Sequence, residues 1–330
     1  MIKKRLMILV GVVALVALVF SVTACAPSGP PPVEPTHLTI ATGGTAGTYY
    51  PLGGAMATII TNYAENVEAT AIPTGASAVN ARMIGEKTAQ LVLLQNDVAL
   101  YAQQGMYDFE EAPVEDIRGV ASLYPETIQI VTLKEYGIKT LSDLKGKKVG
   151  IGAPGSGTAI DILQIFELAG IDETNTSFQW LDFAECAMAL KDKTIDVGCH
   201  VAGFPTSGIT EVAASRDIGI VEVPTDIYNQ LKVDYPFYVQ ITIPAGTYTG
   251  LDEDVNSVAV LAMIGTGADV PEDAVYEATK AIFEHTDILI ATHKKGEQIT
   301  LETALDGMSI PVHPGAAQYF EEQGLVVPTF

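Results

Sequence analysis

Ile40-Ala41-Thr42-Gly43-Gly44-Thr45-Ala46-Gly47-Thr48-Tyr49-Tyr50-Pro51-Leu52 is the stretch that decides the fold. Leu38 and Ile40 alternate ahead of it as a strand does. Three glycines and three threonines follow, and an apolar, Ala-rich segment then runs from Leu52 to Tyr63. The pattern is strand, glycine turn, helix. Glycine lets a backbone take positive φ and approach a ligand closely, and the free N–H groups of a helix start favour anionic groups above the turn. A purely structural turn has the same composition, so the reading depends on what else the chain carries.

A second unit of the same kind answers this. Val149-Gly150-Ile151-Gly152 reads as a strand that enters Ala153-Pro154-Gly155-Ser156-Gly157-Thr158, and a helix continues to Ala169. Gly150 to Gly155 matches the G-x-G-x-x-G spacing of dinucleotide sites. The helix is expected to start only after Gly157-Thr158, however, and no acidic residue ends a following strand, so the match is set aside. The better reading is an oxygen-binding turn built from the Ser156 and Thr158 hydroxyls and the amides around Gly157. Ser156 or Thr158 capping its own helix is the plain alternative.

Between and after these units, β-rich runs alternate with helical ones. Strands are expected at Val67–Ile72, Ala89–Leu94, Gly119–Leu123, Thr127–Leu133, Ser177–Trp180, Ile195–Val201, Ile218–Val221, Phe237–Ile243 and Val255–Ile264, with Pro125 breaking the long middle run. This rhythm predicts an α/β fold of parallel sheets flanked by helices. The simplest arrangement is two lobes around a cleft, with Thr127–Leu133 and Phe237–Ile243 as the crossing strands. Lobe I then comprises residues 37–133 plus 240–330, and lobe II residues 134–239. Clefts between lobes are where small ligands bind.

The N-terminus is set apart from this body. Lys3, Lys4 and Arg5 precede an apolar run from Leu6 to Phe20, and Val22-Thr23-Ala24-Cys25 closes it. Residues 1–24 read as a lipoprotein signal peptide and Cys25 as the acylated first residue of the mature chain. Five prolines between Ala26 and Thr36 make residues 25–36 an extended tether, reaching about 30 Å at ~3.1 Å per residue. The expected location is extracytoplasmic and lipid-anchored.

The formal charge of −22 becomes −25 once Lys3, Lys4 and Arg5 are removed. So acidic a body repels nucleic acid and anionic lipid, which excludes both as partners other than through the lipid anchor. Only Arg82, Arg118 and Arg216 remain as arginines. The other cysteines, Cys186 and Cys199, sit in apolar runs and read as buried thiols rather than a disulfide. No Cys/His cluster has metal-ligand spacing, no cofactor is called for, and nucleophile and metalloprotease signatures are missing, so no enzyme is expected. Gln95-Asn96-Asp97 ends a buried strand, where Asn96 can hydrogen-bond a ligand and Asp97 can pair with an amine, with Asp97 as the N-cap of the next helix the equal alternative. His200 reads as a packed strand residue.

Taken together, the blocks resemble one family. Ala41 to Gly54 is similar to the opening signature of the TAXI family, the solute-binding proteins of TRAP (tripartite ATP-independent periplasmic) transporters. Leu94–Ala99, Gly152–Thr158, His200–Pro205 and Ile310–Ala316 resemble its later blocks, in order across the mature chain. The resemblance implies a two-lobed periplasmic-binding-protein fold of type II, its cleft between lobes joined by crossing strands. Such a protein closes on a small organic anion, a glutamate-like amino acid or a dicarboxylate such as 2-oxoglutarate, and delivers it to TRAP permease subunits. By position it puts Thr45, Thr48, Tyr49, Asn96, Ser156, Gly157, Thr158 and Gly203 around the ligand. Gly44, Asp97 and Ala202 complete the candidate set. A lipoprotein that presents the solute to a membrane receptor is the alternative.

Overall fold

Two copies of one strand order build the sheet. The structure, a computed structural model, describes residues 34–330. The signal peptide, Cys25 and nearly all of the tether therefore lie outside the described residues. In the first half β1 (Thr36–Ala41), β2 (Val67–Ile72) and β3 (Leu91–Gln95) run parallel in the order β2-β1-β3. In the second, β5 (Lys148–Gly150), β6 (Ser177–Gln179) and β7 (Val197–Ala202) repeat it as β6-β5-β7. Each central strand thus has neighbours on both sides and ends at a switch point, where open α/β sheets bind ligands.

Both halves hang on two long strands. β4 (Ile117–Leu133) pairs antiparallel with β10 (Val255–Gly267) along its first part, and with β7 and β8 (Ile218–Val221) along its last. β10 pairs with β9 (Val239–Ile243) at its start and with β3 at its end. The second crossing strand is therefore β10, not Phe237–Ile243. That run forms a short strand whose partner is the opening of β10, and β10 is the one long enough to reach both halves. Pro125 does not break β4 either. It stands opposite Leu261 next to a shift of register, the irregular kind of place where a strand tolerates a residue without an N–H.

The helices follow from the sequence between strands: α1 (Tyr49–Tyr63) after β1, α2 (Ser77–Gly85) before β3, and α3 (Asn96–Gln104) after it. α4 (Gly157–Leu168) follows β5; α5 (Phe183–Lys191), α6 (Ser207–Ala213) and α7 (Thr225–Asp234) complete the second half. α8 (Glu272–Glu284), α9 (Thr286–Thr292) and α10 (Pro314–Glu322) return to the first. α7 is absent from the sequence expectations because its buried stripe is only Ile227 and Leu231. No helix among the described residues is long and apolar enough to cross a membrane.

Each half-sheet is covered on both faces. Leu91 and Leu93 pack with α1, α8 and α10, whereas Val92 and Leu94 pack with α2 and α3. This alternation of a fully buried strand explains the continuous apolar run. In the second half Phe166 of α4 and Leu231 of α7 cover one face, and Leu190 of α5 and Ile209 of α6 the other. Ile243, Tyr248, Leu251, Val258 and Val260 join these second-half clusters. Cys186 and Cys199 are buried free thiols, as read, and burial pushes the Cys186 thiol up to about 12.

Candidate functional site

Three helix starts from two lobes point at one small space. α1 begins at Thr48, α2 at Ala76 and α4 at Ser156. The first two have no side chain capping their amides. Thr48 instead turns its hydroxyl across the interface to the Gly203 carbonyl, at 3.1 Å. Ala76 takes φ +72° and ψ −146°, a conformation that costs a residue with a Cβ roughly 1–3 kcal/mol and that clusters at functional sites.

Between these starts lies a cavity of about 40 Å³. Its walls are Gly43, Gly44, Gly47, Thr48, Tyr49, Ala76 and Ser77 from the first lobe, and Gly157, Thr158, Phe183, Val201 and Ala202 from the second. Gln95 and Glu126 complete it. Hydrogen bonds link the two halves of the chain around it. Gly208 N donates to Ala46 O at 3.1 Å and Val79 N to Gly155 O at 3.2 Å, while the Ser207 hydroxyl reaches Ala46 O at 2.7 Å.

Glu126 is the charge-bearing group of this cavity, and it is 3% exposed. It sits on β4 where the strand passes between lobes, and the Tyr49 hydroxyl donates to its Oε2 at 3.0 Å. Burial, and then the nearby Asp97, hold its carboxyl well above the ordinary range. Outside the cavity lining, the hydroxyls of Tyr124 and Thr127 and both ring nitrogens of His200 are buried with no hydrogen-bond partner among the described residues. Lys295 is 2% exposed; its ammonium lies 3.9 Å from the centre of the Phe204 ring and donates to Gln298. Its charge is felt at Glu126, but its side chain is outside the cavity lining.

Of the residues expected from sequence, Gly44, Thr48, Tyr49, Gly157, Thr158 and Ala202 line the cavity. The other five lie outside its lining. Thr45 is exposed. Asn96 donates to Gly307 O at 2.9 Å and accepts from Leu261 N at 3.0 Å, holding β10 in place. Asp97 is buried behind the cavity wall. The Ser156 hydroxyl caps α4 by accepting from Ala159 N and donates to Ala153 O. Gly203 offers its carbonyl to Thr48 and Thr206. Ser77, Gln95 and Glu126 also line the cavity and were not expected from sequence. One signal for Glu126 was available: it is a lone acid inside the long buried run Ala121–Val131.

Gly157 is required by closure. A Cβ there would fall 1.3 Å from Gln95 Oε1 of the other lobe. A larger groove of about 730 Å³ runs beside the crossing strands past Leu123, Pro125, Phe237 and Leu261, but it lacks converging helix starts.

Residues 40–324 match the family model of the NMT1-like family. The chain belongs to the NMT1-like family. Solved structures share the fold of this NMT1-like protein at low sequence identity. A protein of Bordetella bronchiseptica is 16% identical with a TM-score of 0.57, over 88% of this chain and 99% of that one. The ligand-binding component of an ABC-type import system from Staphylococcus aureus, solved with zinc bound, is 11% identical with a TM-score of 0.51, over 89% and 94%. The binding-protein component of an ABC phosphonate transporter from Pseudomonas aeruginosa is 10% identical with a TM-score of 0.52, over 81% and 80%. The fold is thus the two-lobed type II fold of solute-binding proteins.

Proposed function

We propose that this NMT1-like protein is an extracytoplasmic solute-binding lipoprotein that closes on a small α-amino acid and hands it to a TRAP permease. Glu126 is the observation that carries the ligand class. A ligand carboxylate is favoured by the amides at the starts of α1, α2 and α4, while the cavity offers no arginine or lysine and one buried acid. A zwitterion answers both halves: carboxylate toward the helix starts, ammonium toward Glu126. Buried Glu126 holds its proton above the ordinary range and gives it up only to a group that stabilises the resulting charge, as a ligand ammonium does and a second carboxylate does not, so glutamate-like amino acids are favoured over 2-oxoglutarate.

The lobes are proposed to meet near Pro125 and Leu261, which face each other where the β4–β10 register shifts. The packing of Val258 and Val260 with the second-half cluster supports a division there. The TRAP partner rests on the sequence blocks alone. Acylation at Cys25 rests on the lipobox-like sequence and is read by mass spectrometry of the membrane-extracted protein.

Thermal unfolding with glutamate, glutamine, alanine and 2-oxoglutarate tests the ligand. A ligand at 100 times its Kd adds about 2.7 kcal/mol. The expected result is a raised Tm with one or more amino acids and none with 2-oxoglutarate. A shift with 2-oxoglutarate alone overturns the zwitterion reading.

A further inference from the structure

Residues 293–298 of the first half close over the turn Gly203-Phe204-Pro205 of the second. His293 Nδ1 accepts from Lys295 N at 3.0 Å, so the ring hydrogen is on Nε2, which donates to Pro205 O at 3.2 Å. The stem of Lys295 crosses Gly203 so closely that a Cβ there would fall 2.5 Å from its Cγ. At the end of that stem the ammonium faces the Phe204 ring at 3.9 Å and donates to Gln298 Oε1 at 3.0 Å.

Lys295 is thus a buried cation without a paired anion. It is 2% exposed, and the ion pairs among the described residues all use other lysines or Arg82. The turn that covers it supplies a glycine, a phenylalanine and a proline, none of which titrates. On its own segment stands His293, which burial holds below its ordinary value. From β4 come the Tyr124 ring, which also packs on Gly203, and the charge of Glu126. A ring face and one amide offset part of the cost of drying an ammonium, but an unpaired buried charge stays expensive.

We infer that Lys295 is a brake on empty closure: drying its ammonium against Phe204 and Gly203 penalises the closed form, so that the protein without solute rests open. The inference rests on the closing motion proposed above. With the halves apart the turn no longer covers the ammonium, which meets water and titrates at its ordinary value of about 10.4. In the closed form burial pushes it down to about 8, against a smaller pull from Glu126. The closed form therefore holds this proton less tightly. Its penalty is complete below about pH 8 and fades as pH rises toward the open value. Closure then waits for a solute that binds the closed form well enough to make up the difference.

Hydrogen exchange at Val79 and Gly208, whose bonds to Gly155 and Ala46 join the two halves, reports closure in the full-length chain without ligand. K295M keeps a stem over Gly203 and removes the charge. Its protection at pH 7 is expected to exceed that of the wild type at least tenfold. K295Q, also neutral, is expected to do the same and stands in if the methionine disturbs the fold. Between pH 7 and pH 9, with quench-flow labelling and correction for intrinsic rates, the gap to the wild type is expected to shrink about tenfold. Glu126 and the buried tyrosines titrate in every variant and drop out of that ratio. Protection that is unchanged or lower in both variants overturns the brake. So does a gap that stays constant with pH, which makes the effect one of packing and not of charge. Because no ligand is present, an error in the proposed ligand class leaves this test intact, and either failure leaves the binding assignment standing.

Discussion

Tyr49 and Glu126 join the start of α1 to the strand that both lobes share, through a buried hydrogen bond of 3.0 Å from the phenol to Oε2. Tyr49 opens the helix that follows the first glycine turn, and Glu126 lies near the middle of β4. The bond therefore ties the part of the cavity that the sequence announces to the part that it hides.

Glu126→Gln keeps the size of the side chain and its bond from Tyr49 but cannot become a carboxylate. Losing a charged partner for the ligand ammonium costs about 1.5–3 kcal/mol, so amino-acid affinity should fall by about 10- to 100-fold in calorimetry. Stability should change in the opposite sense at high pH. The folded carboxyl holds its proton to a higher pH than the unfolded one, so the wild type loses stability as pH rises above the ordinary glutamate value. E126Q should lose less, and urea titrations at pH 5 and pH 8 check it.

Gly157→Ala should oppose closure. The new methyl would meet Gln95 Oε1 across the interface, and overpacking of this kind costs about 1–3 kcal/mol. Affinity is expected to fall about 5- to 150-fold, with much of it restored in Q95A/G157A. Equal weakening in the single and double variants would remove Gln95 as the obstacle.

Ser156 and Thr158 should separate by experiment. Ser156→Ala removes the cap on α4 and should lower stability by about 1 kcal/mol while leaving ligand affinity nearly unchanged. Thr158→Ala, on the cavity wall, should weaken binding with little change in unfolding. The reverse outcome would return the Ser156 hydroxyl to the ligand.

His200 sets an acid limit. Burial pushes its imidazole down to about 4, so the neutral ring is the form that the fold accepts. That contribution is fully present above the unfolded value of about 6.5 and is lost as pH falls from there toward 4, about 3 kcal/mol in all. His200→Asn should flatten the unfolding free energy across this window, as guanidinium titrations at pH 4.5 and pH 7 would show.

What could be read in advance was local. The glycine turns at Gly43–Gly47 and Gly152–Gly157 announce themselves because strand, turn and helix are contiguous in the chain. The two-lobed α/β architecture follows from their repetition. Whether Ser156 faces a ligand or its own helix, and whether Asn96 meets solute or Gly307, depends on side-chain direction, which spacing does not encode. Glu126 and Gln95 belong to the cavity only through partners far off in sequence. The crossing strand β10 was misplaced for a related reason: Phe237–Ile243 and Val255–Ile264 have equal β propensity, and only pairing over a distance tells which one spans both halves.

The hydrogen bonds that run from Val79 to Gly155 and from Gly208 to Ala46 also have a kinetic meaning. A solute sealed behind them cannot leave by loosening its own contacts alone; it must wait for the seam to part. Its departure is then capped by the opening rate of the protein. Two solutes with very different grips on Glu126 would share that ceiling on release, and selectivity between them would show up in how often capture succeeds.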